Sequence, residues 1–331
     1  MFSKICKAKN LLFLGVSLLL AYMFLEPQKA LLASQRGLML WFQTLLPTLL
    51  PFMILSNLVI RLGMAEKLLA PFGPFFRKIL GLSPAGTYGF LLGLLCGYPM
   101  GAKLTGDLYR EQRISRQEAL YLLTFSNNPS PIFLSTYVLL QCLHMPQYTM
   151  ASFAILYASD YITSLAFRIR AARTNRGQKA PGEMPSAQNL DAKRKEIPPL
   201  PSVGKLLDIS IMNAFETITR LGGFIILFSV LSSALEGFLG QTLGNAAPCA
   251  LGILEISTGL HAIASASLPA AVKYTLSMGF TSLGGLCILA QTNTVIGEAR
   301  LPLRPYLEGK LLNGTLTLIL SLLFFQIIQF I

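Results

Sequence analysis

Lys103, Asp160, Glu216 and Glu255 are charged side chains set in or beside stretches that are otherwise apolar. A charge in hydrocarbon is costly, so each is a candidate for handling an ion or a charged solute. Lys103 closes the stretch "CGYPMGAK" (96–103), and Glu255 stands just ahead of the "STG" at 257–259, where it could pair with Lys103 or hold a coupling proton or cation. Asp160, between Tyr157 and Tyr161, reads as an anchor solvated near the cytoplasmic end of its segment, and Glu216 reads the same way. A second group is uncharged. Ser126, Asn127, Asn128 and Ser130 fill "FSNNPSP" (125–131), and Thr281, Ser282 and Gly284 fill "FTSLGGL" (280–286). Asn and Ser cap a new helix, Pro withholds an N–H and Gly admits close backbone approach. Such stretches are helix breaks whose N–H groups and positive dipole ends suit an anion. The candidate substrate contacts are these residues, with Gly97, Tyr98, Gly101 and Lys103 at a third break, Glu255, Ser257, Thr258 and Gly259 at a fourth, and Asn293 beyond Gln291 on a polar face downstream. Structural readings compete with each: a capped proline kink at 127–130, small-residue packing through Gly93, Gly97 and Gly101, and a helix–helix hydrogen bond at Asn293.

Catalysis and metal binding have little to work with. His144 and His261 are the two histidines, and Ser126 or Ser130 with the distant His261 is the one nucleophile–base pair that can be assembled. The cysteines Cys6, Cys96, Cys142, Cys249 and Cys287 have no close-spaced pair, and no phosphate-loop signature occurs. The expectation is a protein that is not an enzyme and holds no cofactor or metal, with a coupling proton or sodium ion left open.

These residues must be positioned by membrane helices. Of 331 residues, 53% are hydrophobic and 13% charged, well outside soluble composition. The fold class expected is an all-α polytopic membrane protein with about seven crossings, counting one per apolar run of about 20 residues. A formal charge of +12 could suggest nucleic acid, but the basic residues cluster in short loops, where membrane topology explains them. Lys4, Lys7 and Lys9 ahead of the run 11–25 make an uncleaved first span with a cytoplasmic N-terminus the expectation. Loop charges then bring 37–60 back to the cytoplasm, and both ends of 84–109 stay there, which describes a re-entrant hairpin. Residues 117–143 form a broken helix and 147–167 a return span.

The chain divides accordingly into an N-terminal span and loop (1–36), a first repeat (37–172), a basic cytoplasmic linker (173–205), a second repeat (206–299) and a last span (300–331). Three matches recur in the same order in both repeats. "PFMIL" (51–55) lies on "GFIIL" (223–227), "CGYPMGAK" on "LEISTGLH" (254–261), and "FSNNPSP" on "FTSLGGL". Since one repeat starts outside and the other inside, the pattern is an inverted-topology repeat with two re-entrant hairpins and two broken helices. In that arrangement the breaks converge on a solute near the bilayer midplane.

With "GLLCGYPMGAK" and "FSNNPSP" in view, the chain resembles the YlbJ-type sporulation integral membrane proteins of the nucleoside-recognition or Gate superfamily over nearly its whole length. The resemblance implies an architecture like that of concentrative nucleoside transporters. It also implies a role in endospore formation, moving dipicolinic acid across the bacterial cytoplasmic membrane or the mother-cell-derived forespore membrane. The partners expected are a small anionic solute and the lipid bilayer, with no nucleic acid; a homo-oligomer is open. Residue chemistry leaves the solute undecided. Helix N-termini with Lys103 suit a planar dianion, whereas Asn and Gln edges with Tyr98 or Phe125 suit a nucleoside. A non-transporting scaffold for the spore envelope is the alternative from another class.

Overall fold

The computed structural model describes residues 2–62, 64, 71, 73–174 and 202–330. These form helices joined by short turns, with no strand among them. The basic linker lies for the most part outside the described residues. In the first half, α1 (Phe2–Leu25) and α2 (Pro27–Met39) lead through a π-helical turn, Leu40–Leu45, into α3 (Leu46–Arg61). After α4 (Gly73–Leu80) come α5 (Pro84–Cys96), α6 (Met100–Arg110), α7 (Arg116–Leu122), a π-helical stretch Phe133–Cys142, and α8 (Thr149–Thr174). The second half runs α9 (Val203–Leu243), α10 (Ala247–Leu254), α11 (Ile256–Ser265), α12 (Ala270–Leu283), α13 (Gly285–Gly297) and α14 (Arg304–Phe330).

Four stretches are long and apolar enough to cross a membrane: Pro146–Ala171, Val203–Leu243, Ala270–Gly297 and Arg304–Ile328. The number rises to six if the bent pairs Phe13–Leu25 with Pro27–Leu45 (108°) and Pro74–Leu80 with Pro84–Cys96 (84°) each count once. The sequence count of about seven also took in 37–60 as one span and 117–143 as one broken helix. The structure shares the first between the arm ending at Leu45 and the short helix Leu49–Val59, and opens the second at its polar break. Large apolar side chains such as Phe24, Phe238 and Ile327 face outward, while many Ser, Thr and Asn side chains are buried. That distribution suits a lipid exterior, where the interior must satisfy the polar groups.

Glycines set the tight approaches on which both hairpins depend. In the α5–α6 hairpin a Cβ on Gly93 would lie 2.6 Å from Gly101 Cα, and in the α10–α11 hairpin a Cβ on Gly259 would lie 2.1 Å from Gly252 Cα. Small residues thus let each pair of arms touch backbone to backbone. The α5 start is fixed by Ser83, whose Oγ accepts from Gly86 N (3.0 Å), with Pro84 at the first helical position. Glu118 in α7 accepts from Ser83 N (2.7 Å), which ties the hairpin to the helix entering the first break.

Candidate functional site: two helix breaks tied by Lys310

The first break opens because the chain leaves α7 with side chains that replace the missing backbone bonds. Asn128 Nδ2 donates to Phe125 O (2.7 Å), and Ser130 Oγ accepts from Phe133 N (3.1 Å) to start the next helix. The turn of the α5–α6 hairpin packs directly on this break. A Cβ on Gly97, which has φ 85°, would lie 2.6 Å from Ser130 N, and one on Gly101 would lie 2.0 Å from Ser126 O. Asn127 Oδ1 accepts from Ala102 N (3.3 Å), an N–H of the first turn of α6, and its Nδ2 donates to Thr292 Oγ1 (3.0 Å) in α13. Asn127 therefore connects the first hairpin to the second half.

The second break is narrower: α12 ends at Leu283, Gly284 (φ 83°) and Gly285 (φ 70°) turn left-handed, and α13 begins at once. A Cβ on Gly285 would lie 3.0 Å from both Gly252 O and Ile253 O, so the α10–α11 hairpin packs against this break as its counterpart does against the first.

Lys310 of α14 joins the two. Its Nζ donates to Asn128 Oδ1 (2.9 Å) and to Ser282 O (3.0 Å), one group from each break. Asp160 of α8 supplies the opposite charge, accepting from Asn128 Nδ2 (2.7 Å) and from Asn313 Nδ2. Asn313 Oδ1 in turn accepts from Ser282 Oγ. Asp160 and Lys310 are 5% and 3% exposed, so the pair is removed from water on all sides and every member of the network has a partner.

Several sequence expectations change here. Lys103 does not meet Glu255; it pairs with Asp107 one turn along α6, at 2.7 Å, because an i,i+4 carboxylate on its own helix is nearer than any across the bundle. Glu255 caps α11 instead, accepting from Ser257 N (3.0 Å), Ser257 Oγ (2.6 Å), Thr258 N (2.7 Å) and Thr258 Oγ1 (2.8 Å). The N-terminal N–H groups of α11 thus already hold an anion of the chain itself, and Ala102 N in α6 already holds Asn127. Asp160 is no solvated anchor, since it is buried and two amides hold it inside. Asn293 is exposed; Thr292, one position back, faces the break. Glu216 is exposed and paired with Arg220, in keeping with the anchor reading. Tyr98 packs edge-on to Phe133, with ring centroids 6.1 Å apart, and Thr281 is buried. His261 is exposed while Ser126 is buried, so the two form no visible pair.

Lys310 and Asn313 escaped the sequence reading because Lys310 looked like a continuation of the cytoplasmic Arg300 and Arg304. A signal existed: Lys310, Asn313, Thr317 and Ser321 recur three or four residues apart on an apolar helix, which puts them on one face.

Beside the first hairpin lies a cavity of about 500 Å³. Its wall includes Pro99 at the hairpin turn, and it carries four basic side chains, Arg61, Lys103, Arg110 and Arg220, with four acidic ones, Asp107, Glu111, Glu216 and Glu298. Arg220 bridges Glu216 (2.5 Å) and Glu298 (2.7 Å), and Arg110 reaches Glu298 at 3.3 Å. Gln291 of α13 also lines it. That side chain is 2% exposed; its Nε2 donates to Cys287 Sγ (3.2 Å), whereas its Oε1 has no hydrogen-bond partner. A buried acceptor left without a donor is costly.

Residues 42–143 match the Gate family, described as "Nucleoside recognition". That stretch contains the first hairpin and the first break. The chain is also 28% identical over 336 aligned residues to the sporulation integral membrane protein YlbJ of Bacillus subtilis (strain 168), covering 91% of this chain and 79% of that protein. No solved structure matches. The chain is an integral membrane protein similar to YlbJ, and its Gate-like part carries the first of the two breaks.

Proposed function

We propose that this protein is a membrane transporter for a small organic anion, dipicolinic acid in endospore formation. The solute enters the cavity beside Lys103 and passes between the two breaks. The observation that carries the reading is the cavity itself, which runs up to the hairpin turn at Pro99 and concentrates four basic side chains. Two of them, Arg110 and Arg220, meet Glu298 and Glu216 in half-exposed ion pairs, which contribute little in water-accessible settings. An incoming ring dicarboxylate can therefore exchange with them at small cost, and Arg in particular receives a carboxylate through two parallel N–H bonds. Because the N-termini of α6 and α11 are capped by the chain's own groups, the solute's charge is met by these side chains. The sporulation role rests on the likeness to YlbJ, and the inverted arrangement of the two halves gives alternating access to the breaks.

Uptake of labelled dipicolinate into proteoliposomes tests the proposal. Saturable flux that falls at least tenfold in Lys103→Met is expected, and absence of saturable flux for dipicolinate, nucleosides and related dicarboxylates ends it. One observation favours a second reading. The unpartnered Gln291 Oε1 needs a donor, which a nucleoside has and the dipicolinate dianion lacks. A thermal-shift panel separates the two, since a ligand of the folded state raises its melting point. Stabilisation by nucleosides that disappears in Gln291→Leu would transfer the assignment to them.

A further inference from the structure

Lys310 does not bond like the basic half of an ordinary ion pair. Its ammonium donates to two neutral oxygens, the Asn128 side-chain carbonyl and the Ser282 main-chain carbonyl, while the Asp160 carboxylate is held by the amides of Asn128 and Asn313. Ser282 O belongs to the last turn of α12, where carbonyls lack an intrahelical partner and the helix dipole is negative. An amide oxygen, a helix-terminal carbonyl and a nearby carboxylate, all buried, make the oxygen set that a hard monovalent cation takes at a broken membrane helix. The charge in that set is carried here on a side-chain stem from α14.

We propose that the breaks frame a cation site whose occupant is the Lys310 ammonium, a tethered ion standing where a free alkali cation would otherwise bind. The site is complete without salt, so the native protein holds its two breaks together with no dependence on sodium. Removing the ammonium while keeping the oxygens and Asp160 leaves a vacant site of matching charge. Lys310→Ala then acquires an affinity for sodium, or for a small ammonium ion, that the native chain does not have. The inference concerns cation binding alone and stands whether or not the solute assignment holds.

The test is thermal denaturation of the purified full chain in detergent at constant ionic strength, in sodium, potassium, methylammonium or choline chloride. The native midpoint is expected to be the same in all four. Lys310→Ala is expected to melt lower in choline and to rise saturably in sodium, potassium or methylammonium, by about 4 °C at a hundredfold excess over Kd. Adding Asp160→Asn to Lys310→Ala is expected to abolish that response while restoring a charge-balanced core. Three results overturn the proposal: a Lys310→Ala midpoint indifferent to cation, a native midpoint that depends on sodium as strongly as the variant's, or no folded Lys310→Ala recovered in any of the four salts although the double variant folds. A cation response without solute flux in liposomes would instead remove the transport reading and leave the site in place.

Discussion

The two breaks solve one problem with different chemistry. At 123–130 the chain is open over several residues and its loose backbone groups are met by side chains, Asn127, Asn128 and Ser130, which also reach α6, α8, α13 and α14. At Gly284 the helix merely turns left-handed and restarts, and what it exposes is a main-chain carbonyl, Ser282 O. A break built from amides can be specific about its neighbours, because each amide offers a donor and an acceptor in fixed directions. A break built from glycine presents a dipole and little else. Lys310 draws one bond from each, so it makes the unlike breaks into a single unit.

The strongest way to break that unit is to strand its ammonium. Asp160→Leu leaves Lys310 buried without a counter-charge and is expected to destabilise by about 3–5 kcal/mol. Chemical or thermal unfolding in detergent reads this directly, and a loss below about 1 kcal/mol would mean the two breaks are held by packing instead. Gly101→Ala comes next. Its Cβ would meet Ser126 O at 2.0 Å, a main-chain atom that cannot swing aside, and about 2–3 kcal/mol is expected from such overpacking. The counterpart Gly259→Ala should cost a similar amount, but it presses on Gly252 of its own hairpin rather than on a break. Solute flux per folded molecule should therefore fall in Gly101→Ala and hold in Gly259→Ala; equal losses would erase the distinction between the halves.

Asn127→Ala is expected to cost about 1–3 kcal/mol, the range for a buried hydrogen-bond partner removed from Ala102 N and Thr292 Oγ1. Its flux should drop more than its melting point suggests, because the first hairpin loses its link to α13. Glu255→Gln is the mildest. The amide keeps an acceptor for the α11 N-terminus but loses the charge, so about 0.5–1 kcal/mol is expected, with solute preference unchanged. An altered solute preference would show that Glu255 faces the solute after all.

Much of this could be read before any coordinates. "CGYPMGAK" and "FSNNPSP" announce breaks through residue types that cannot continue a buried helix unaided, and both are breaks in the structure. The hairpin at 246–268 and the break at Gly284 were legible in the same way. What misled was the assignment of charges to one another. Glu255 was offered to Lys103 as a partner across the two halves, yet each found a partner within a helical turn, on the α11 N-terminus and on Asp107. Local partners win because they need no second element to arrive.

The sequence by itself determined which stretches are apolar enough for lipid, where helices must stop, and which side chains can satisfy the groups that stopping exposes. These are properties of neighbouring residues, fixed by hydrophobic length and backbone geometry. Only the tertiary structure decided how deep each charge lies. Asp160 and Lys310 are separated by α9 to α13 in the chain, and either alone would be drawn to water. Their burial becomes affordable in free energy once Asn128, Ser282 and Asn313 converge on them, and that convergence is a matter of packing between helices that no local pattern encodes.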